Sequence, residues 1–246
     1  MKKSLKIGLL FTILLTFSCT VDEDAGASSQ ISTSDSVINE VEDVNNPFEL
    51  SEGVIAQRDV LLDMLVEEDN VNWKIGVDME EWDSISVDDS GNVTSLNAGN
   101  FIKLDESLGE LIYLNSLFVS EQSIPEENDI VLPELETLTV TNGSSDYIPL
   151  WVYNTTSLKY LLYSDSSIEV IADNISSLIN LEYLIIEEGT PLLKVSPKLG
   201  DLTSLRIVNF STVGTGLESV PYEVCDLIVK SGTNVLLPKG VSCDEE

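Results

Sequence analysis

The chain has 246 residues, 43 of them acidic and 12 basic, with no histidine and a formal charge of −31 at neutral pH. A field of that sign repels nucleic acid and anionic lipid headgroups, and the lack of histidine removes the usual general base and a principal zinc ligand. With 43% hydrophobic residues the chain can still bury a continuous core.

Residues 1–18 read as a leader. Lys2, Lys3 and Lys6 precede an apolar run from Ile7 to Phe17, and Ser18 stands before Cys19. A basic start, a short apolar stretch and a small residue before the cut make a secretory signal, too short to span a bilayer. Because it ends at a cysteine it resembles a bacterial lipoprotein signal, which implies that Cys19 is lipidated as the first mature residue. Leu15 lies four places and Thr16 three places before that cysteine, the looser form of lipoproteins of Bacteroidota. An ordinary cleaved signal with an incidental cysteine is the alternative. Loss of the three leader lysines would leave nine basic residues and a charge of about −34.

Residues 19–46 form an acidic tether. Asp22-Glu23-Asp24 behind the cysteine resembles the surface-export signal of such lipoproteins, against the plainer reading of a solvated spacer. From Ala25 to Asn46 there is no aromatic residue and no sustained period, so the segment cannot bury enough surface to order itself. Asp35-Ser36-Val37, and later Asp83-Ser84-Ile85, resemble O-glycosylation acceptors of that phylum.

Residues 47–92 change character. Ser51 followed by Glu52 starts a helix ending by Asn70, with Val54, Leu61, Leu62, Leu65 and Val66 near one face. Trp73 and Trp82 follow, then a hairpin turn at Asp88-Asp89-Ser90-Gly91-Asn92 that leads into Val93-Thr94-Ser95-Leu96. The same residues could suggest ligand platforms or a calcium loop, but the closing Glu of a calcium loop is missing, and an open core needs aromatic cover.

Residues 93–229 repeat. Lines starting at Leu114, Leu135, Leu158, Leu181 and Leu205 open LNSLFV, LETLTV, LKYLLY, LEYLII and LRIVNF, at steps of 21, 23, 23 and 24 residues. Apolar residues at the first, fourth and sixth places predict a short strand whose core only stacked neighbours can complete. An earlier line begins at Val93, with Leu96 and Ala98 inward and Leu104, Leu108 and Leu111 behind. This phrasing resembles the leucine-rich repeat. The helix, the two tryptophans and the Gly-Asn-Val-Thr-Ser-Leu entry resemble the N-terminal cap of plant-type and bacterial extracellular members, here without the usual cysteine pair. The resemblance implies an α/β solenoid: a short curved horseshoe with a parallel sheet on its concave face, an irregular convex side and a helical N-terminal cap. The family's ninth-place asparagine is replaced by Gln122, Gly143, Ser166, Gly189 and Val213, which predicts a less regular horseshoe. Pro125, Pro149, Pro197 and Pro221 mark the bends toward the convex side.

Residues 230–246 form a C-terminal cap. Cys225 and Cys243 are the two cysteines left once Cys19 is lipidated, an even number in an exported chain. A disulfide closing that loop would contribute about 3 kcal/mol and pin a last strand near Val235 to Leu237. Free thiols or a metal pair are the alternatives, although two cysteines without histidine make a poor zinc site.

Catalysis has no visible apparatus: there is no Gly-x-Ser-x-Gly and no phosphate-cradling loop. No cofactor and no metal is expected. Side chains at the second, third, fifth and seventh places of each strand should line the concave face. They give an exposed patch of Phe118, Tyr160, Leu162, Tyr183 and Ile185 bordered by Glu136, Lys159, Glu182 and Glu187, with Phe118, Lys159 and Glu182 among the candidate contacts. Such a patch implies an interface with a protein or, by stacking on Tyr160 and Tyr183, a glycan. The expected role is a non-enzymatic, lipid-anchored outer-membrane protein facing the cell surface, as adhesin, receptor component or scaffold. Glycan capture for nutrient uptake and a periplasmic structural role are the other readings.

Overall fold

The computed structural model describes residues 51–66, 72–99, 102–120, 124–125, 129–214 and 216–245; the leader, Cys19, the tether and Gln122 lie outside the described residues. Ser51 caps helix α1 (Glu52–Met64), its hydroxyl accepting from the Val54 amide at 3.3 Å. α1 buries Val54, Gln57, Val60, Leu61 and Met64. The sequence placed Leu62, Leu65 and Val66 on that face as well. Leu62 and Leu65 do pack against the core, only partly buried, Leu65 as the extended C-cap that bridges to Ile102, whereas Val66 is exposed. The helix therefore stops at Met64, short of Asn70.

The cause is Gln57, a polar residue on the core face. Its Oε1 accepts from the Val93 amide at 2.9 Å, and its Nε2 donates to Gly53 O and Asn92 Oδ1. Anchoring this amide rotates the buried stripe away from the one hydrophobicity alone selects. Gln57→Leu keeps the volume but leaves the buried Val93 N–H unpaired, so it should destabilise by about 1–3 kcal/mol in urea titration. An unchanged midpoint would mean that water replaces the side chain.

Trp73 and Trp82 stack with centroids 5.4 Å apart and 15° between planes, and both are buried. They are cover for the end of the core, not open platforms. Strands β1 (Ile85–Val87) and β2 (Val93–Ala98) form the antiparallel hairpin. In its turn the Asp88 carboxylate accepts from the Ser90 and Asn92 amides and from Asn92 Nδ2, and Gly91 takes a positive φ of 82°. These bonds, that from the Asn92 side chain foremost, hold the Asp88 carboxyl below its usual range.

The chain then coils. In order come β3 (Ser116–Ser120), β4 (Thr137–Thr141), α2 (Leu150–Asn154), β5 (Tyr160–Ser164), β6 (Val170–Ile171), β7 (Tyr183–Glu187) and β8 (Lys194–Val195). After them come β9 (Ile207–Asn209), β10 (Ser219–Val220), α3 (Tyr222–Lys230), β11 (Asn234–Leu236) and β12 (Ser242–Cys243). The main sheet runs β1-β2-β3-β4-β5-β7-β9-β11, parallel from β2 onward. Ser116 faces Thr137, Thr137 faces Tyr160, Tyr160 faces Tyr183 and Tyr183 faces Ile207, so the register reproduces the spacing of the repeated phrases. First, fourth and sixth places all enter one core, as in Leu181, Leu184 and Ile186. Opposite the sheet run 3-10 turns at Glu106–Glu110, Asp173–Ser177 and Pro197–Asp201, with α2 and α3. Pro149 and Pro221 cap the two helices and Pro197 opens its turn.

The strands from β2 to β9 pair without a register shift, although the ninth-place asparagines are missing. Hydroxyls serve instead: Thr190 Oγ1 receives the Ser166 amide at 3.3 Å, lies 3.2 Å from Ser166 Oγ and donates to Glu187 O, while Thr212 Oγ1 receives the Glu188 amide. The disulfide joins Cys225 of α3 to Cys243 of β12, with Cα atoms 6.2 Å apart. It therefore holds β12, paired with β10, and not the predicted last strand. That strand, β11, docks on β9 by its own ladder, and Thr233 Oγ1 donates to Leu205 O beside it.

Candidate binding face

Parallel register decides which surface side chains can meet. Tyr160, Tyr183 and Ile207 stand in one row across β5, β7 and β9, and Leu162, Ile185 and Asn209 in the next. Neighbouring strands are about 4.8 Å apart, so each side chain is flanked by its row partners. The Tyr160 and Tyr183 rings accordingly pack together, centroids 5.8 Å apart and tilted by 40°. Tyr160, Leu162, Tyr183 and Ile185 are thus half-buried, less open than the exposed patch the sequence suggested.

Phe118 is not part of this group. It shares a row with Leu162, but Thr139 of β4 stands between them. Ile207 was legible in its column yet absent from the expected contacts, and it completes the apolar row beside Tyr183. The face is divided: Ser95, Asn97, Ser116, Thr137 and Thr139 make its first half polar apart from Phe118, and the second half is aromatic and aliphatic apart from Asn209.

The two ends of the strands differ in charge. Second-place residues alternate in sign, Glu136, Lys159, Glu182 and Arg206. Lys159 Nζ lies 2.6 Å from Glu136 and Arg206 Nε 2.9 Å from Glu182, so the basic groups on this edge are already neutralised. The other ends carry Asp165, Glu187 and Glu188. Among the described residues none of these three has a basic partner within ion-pair distance. Asn142, Asp165 and Glu188, the eighth place of three successive repeats, turn the chain with φ of 54°, 46° and 44°. Glu187 accepts from Asn209 Nδ2 at 3.2 Å. Burial, and then the Glu187 carboxylate, push the Tyr160 phenol above its usual pKa. Among the described residues no three His, Cys, Asp or Glu gather to hold a metal ion. The face offers area, shape and charge, which is the chemistry of binding.

No family model matches the chain, and no curated protein matches it. Solved structures do. The chain is similar to the PEPR1–AtPEP1 structure with a TM-score of 0.50 and 18% identity, over 76% of this chain and 32% of that one. The Leptospira interrogans LRR protein LIC12759 aligns at 0.48 and 17% identity, over 58% of this chain and 36% of the other. The BIR3–SERK2 complex from Arabidopsis thaliana aligns at 0.45 and 18%, over 66% and 96%. The chain spans about a third of the first two structures. At 18% identity the PEPR1–AtPEP1 likeness is one of fold, and with the repeated register it gives the described repeats a leucine-rich-repeat solenoid fold.

Proposed function

We propose that this is a non-enzymatic, extracytoplasmic protein, anchored by lipid on Cys19, whose sheet face binds a partner protein as adhesin, receptor component or scaffold. One observation carries the reading. Tyr160, Leu162, Tyr183, Ile185 and Ile207 form a contiguous apolar row pair on an outer face, whereas β2 to β4 place Ser, Thr and Asn at most of the same positions. Nothing in the fold demands apolar residues there, and a contiguous patch of this kind is the usual mark of an interface.

Glycan capture is the second reading, and the ring geometry favours protein over sugar. Stacking a sugar needs an open aromatic face, while Tyr160 and Tyr183 lie against each other and Ile207 flanks the outer side. Protease shaving of intact cells with mass spectrometry tests the address: release of repeat peptides supports surface display, and full protection in intact but not lysed cells refutes it. Cross-linking of whole cells tests the face. Partner adducts should disappear in a Leu162→Asp/Ile185→Asp variant that keeps its unfolding midpoint; persistence of the same adducts would place the interface elsewhere.

A further inference from the structure

The division of charge across the apolar face says what kind of partner it suits. An interface of this kind is selected less by its apolar area, which any hydrophobic segment can cover, than by the charges at its border. Here the border is asymmetric. At the start of the strands every basic side chain is paired, Lys159 with Glu136 and Arg206 with Glu182. An incoming acidic group would have to break one of these pairs. At the ends of the strands Glu187, half-buried, and Asp165 and Glu188, exposed, have no cation facing them among the described residues. Glu187 lies two residues beyond Ile185 on the same face of β7, so a cation brought to it would sit directly beside the row of Leu162 and Ile185.

We infer that the occupant of this face is a cationic, apolar segment of a partner protein. Its aliphatic side chains cover Leu162, Ile185 and Ile207, and its lysine or arginine groups meet Glu187 and Asp165 at the ends of the strands. The inference rests on the protein-binding reading above and narrows it to one partner chemistry. The whole-chain charge of −31 adds long-range attraction for the same class of ligand, and because that attraction is unspecific the test must separate it from the face itself.

Three synthetic peptides of one length serve as probes for the full chain: alternating Lys and Leu, alternating Lys and Ser, and alternating Glu and Leu. The Lys/Leu peptide should bind by fluorescence anisotropy, weaken with added salt, and lose about tenfold in affinity with Glu187→Gln and more with Leu162→Ala/Ile185→Ala. The Lys/Ser peptide should bind weakly and be indifferent to both variants. Equal Lys/Leu affinity for wild type and all variants would show attraction to net charge only and overturn the inference. Binding of Glu/Leu but not Lys/Leu, lost in Leu162→Ala/Ile185→Ala, would leave the binding face standing and overturn its cationic partner. If no peptide responds to any face variant, the inference fails together with the face. Unchanged thermal unfolding of each variant keeps these outcomes readable.

Discussion

Gly200→Ala, the addition of one methyl group, should lower stability by about 3 kcal/mol or more, a fall of roughly 6 °C or more in unfolding temperature for a domain of this size. Gly200 lies in the Pro197–Asp201 turn, where α3 crosses over it. A Cβ there would stand 2.5 Å from the Glu223 carbonyl oxygen and 2.7 Å from its carbonyl carbon. Backbone cannot swing aside as a long side chain can, so α3 must move. α3 carries Val224 and Leu227 into the core and Cys225 into the disulfide, so the displacement opens the last repeat and strains the cap together.

Gly109→Ala is the matched control. Leu108-Gly109-Glu110-Leu111 and Leu199-Gly200-Asp201-Leu202 are the same phrase at the same place in two repeats. At Gly109 the nearest atom to an added Cβ is the Val131 nitrogen at 3.5 Å, an ordinary contact. This variant should unfold within about 0.5 kcal/mol of wild type. Hydrogen exchange gives the position of the damage: faster exchange confined to α3 and β12 in Gly200→Ala is expected. Equal stability of the two variants would show that the crossing is loose.

That pair also shows where sequence reading stops. Periodicity found the strands of the main sheet from β2 to β9, their order and their register, because each repeat buries the same three places and a parallel stack leaves one way to do it; the short strands β6, β8, β10 and β12 carry no such repeat and were not legible. It could not tell Gly109 from Gly200, since the difference is how closely another element crosses. The same limit explains α1. A hydrophobic stripe selects Leu62 and Leu65, while the real face is set by Gln57 and its bonds to Gly53, Asn92 and Val93, the last 36 residues away. Thr190 escaped notice for a related reason: it stands one place after the family's asparagine, so a column read at the ninth place passes it by.

The candidate face was half legible. Alternation within each line gave Tyr160, Leu162, Tyr183 and Ile185 as outward, and lining up the lines gave their adjacency. Phe118 failed because grouping by residue type ignored the intervening Thr139. The charge division was hidden further, since pairing of Lys159 and Arg206 with acids on the strand beside each depends on rotamers that no spacing specifies.

A buried pair of phenols should make the domain fail in alkali, losing about 3 kcal/mol between pH 9 and pH 11. Tyr163, in β5, takes the sixth, inward place of its repeat, where the other repeats have Ala98, Val119, Val140, Ile186 and Phe210. Its hydroxyl is buried without a hydrogen-bond partner among the described residues, and burial, with Tyr153 nearby, pushes its pKa far upward. Burial also raises Tyr153 to about 12, opposed by a 3.4 Å bond from the Ala172 amide to its oxygen. A phenol with a raised native pKa keeps its proton in the folded state after the unfolded chain has lost it. The native state then binds more protons, and stability falls as pH rises above about 10, the unfolded value. Each tyrosine costs about 1.4 kcal/mol by pH 11, and below pH 9 neither contributes any slope. The two phenylalanine variants should part at neutral pH. Tyr163→Phe removes an unpaired buried hydroxyl and should stabilise by about 1 kcal/mol, whereas Tyr153→Phe gives up a weak bond and should be neutral or slightly destabilising. Both should flatten the alkaline loss, and the double variant most of all. Urea midpoints at pH 7, 9 and 11, with the disulfide verified intact, decide it: equal alkaline losses in wild type and double variant would place the cause outside the tyrosine pair, and a destabilised Tyr163→Phe would mean that the hydroxyl has a partner.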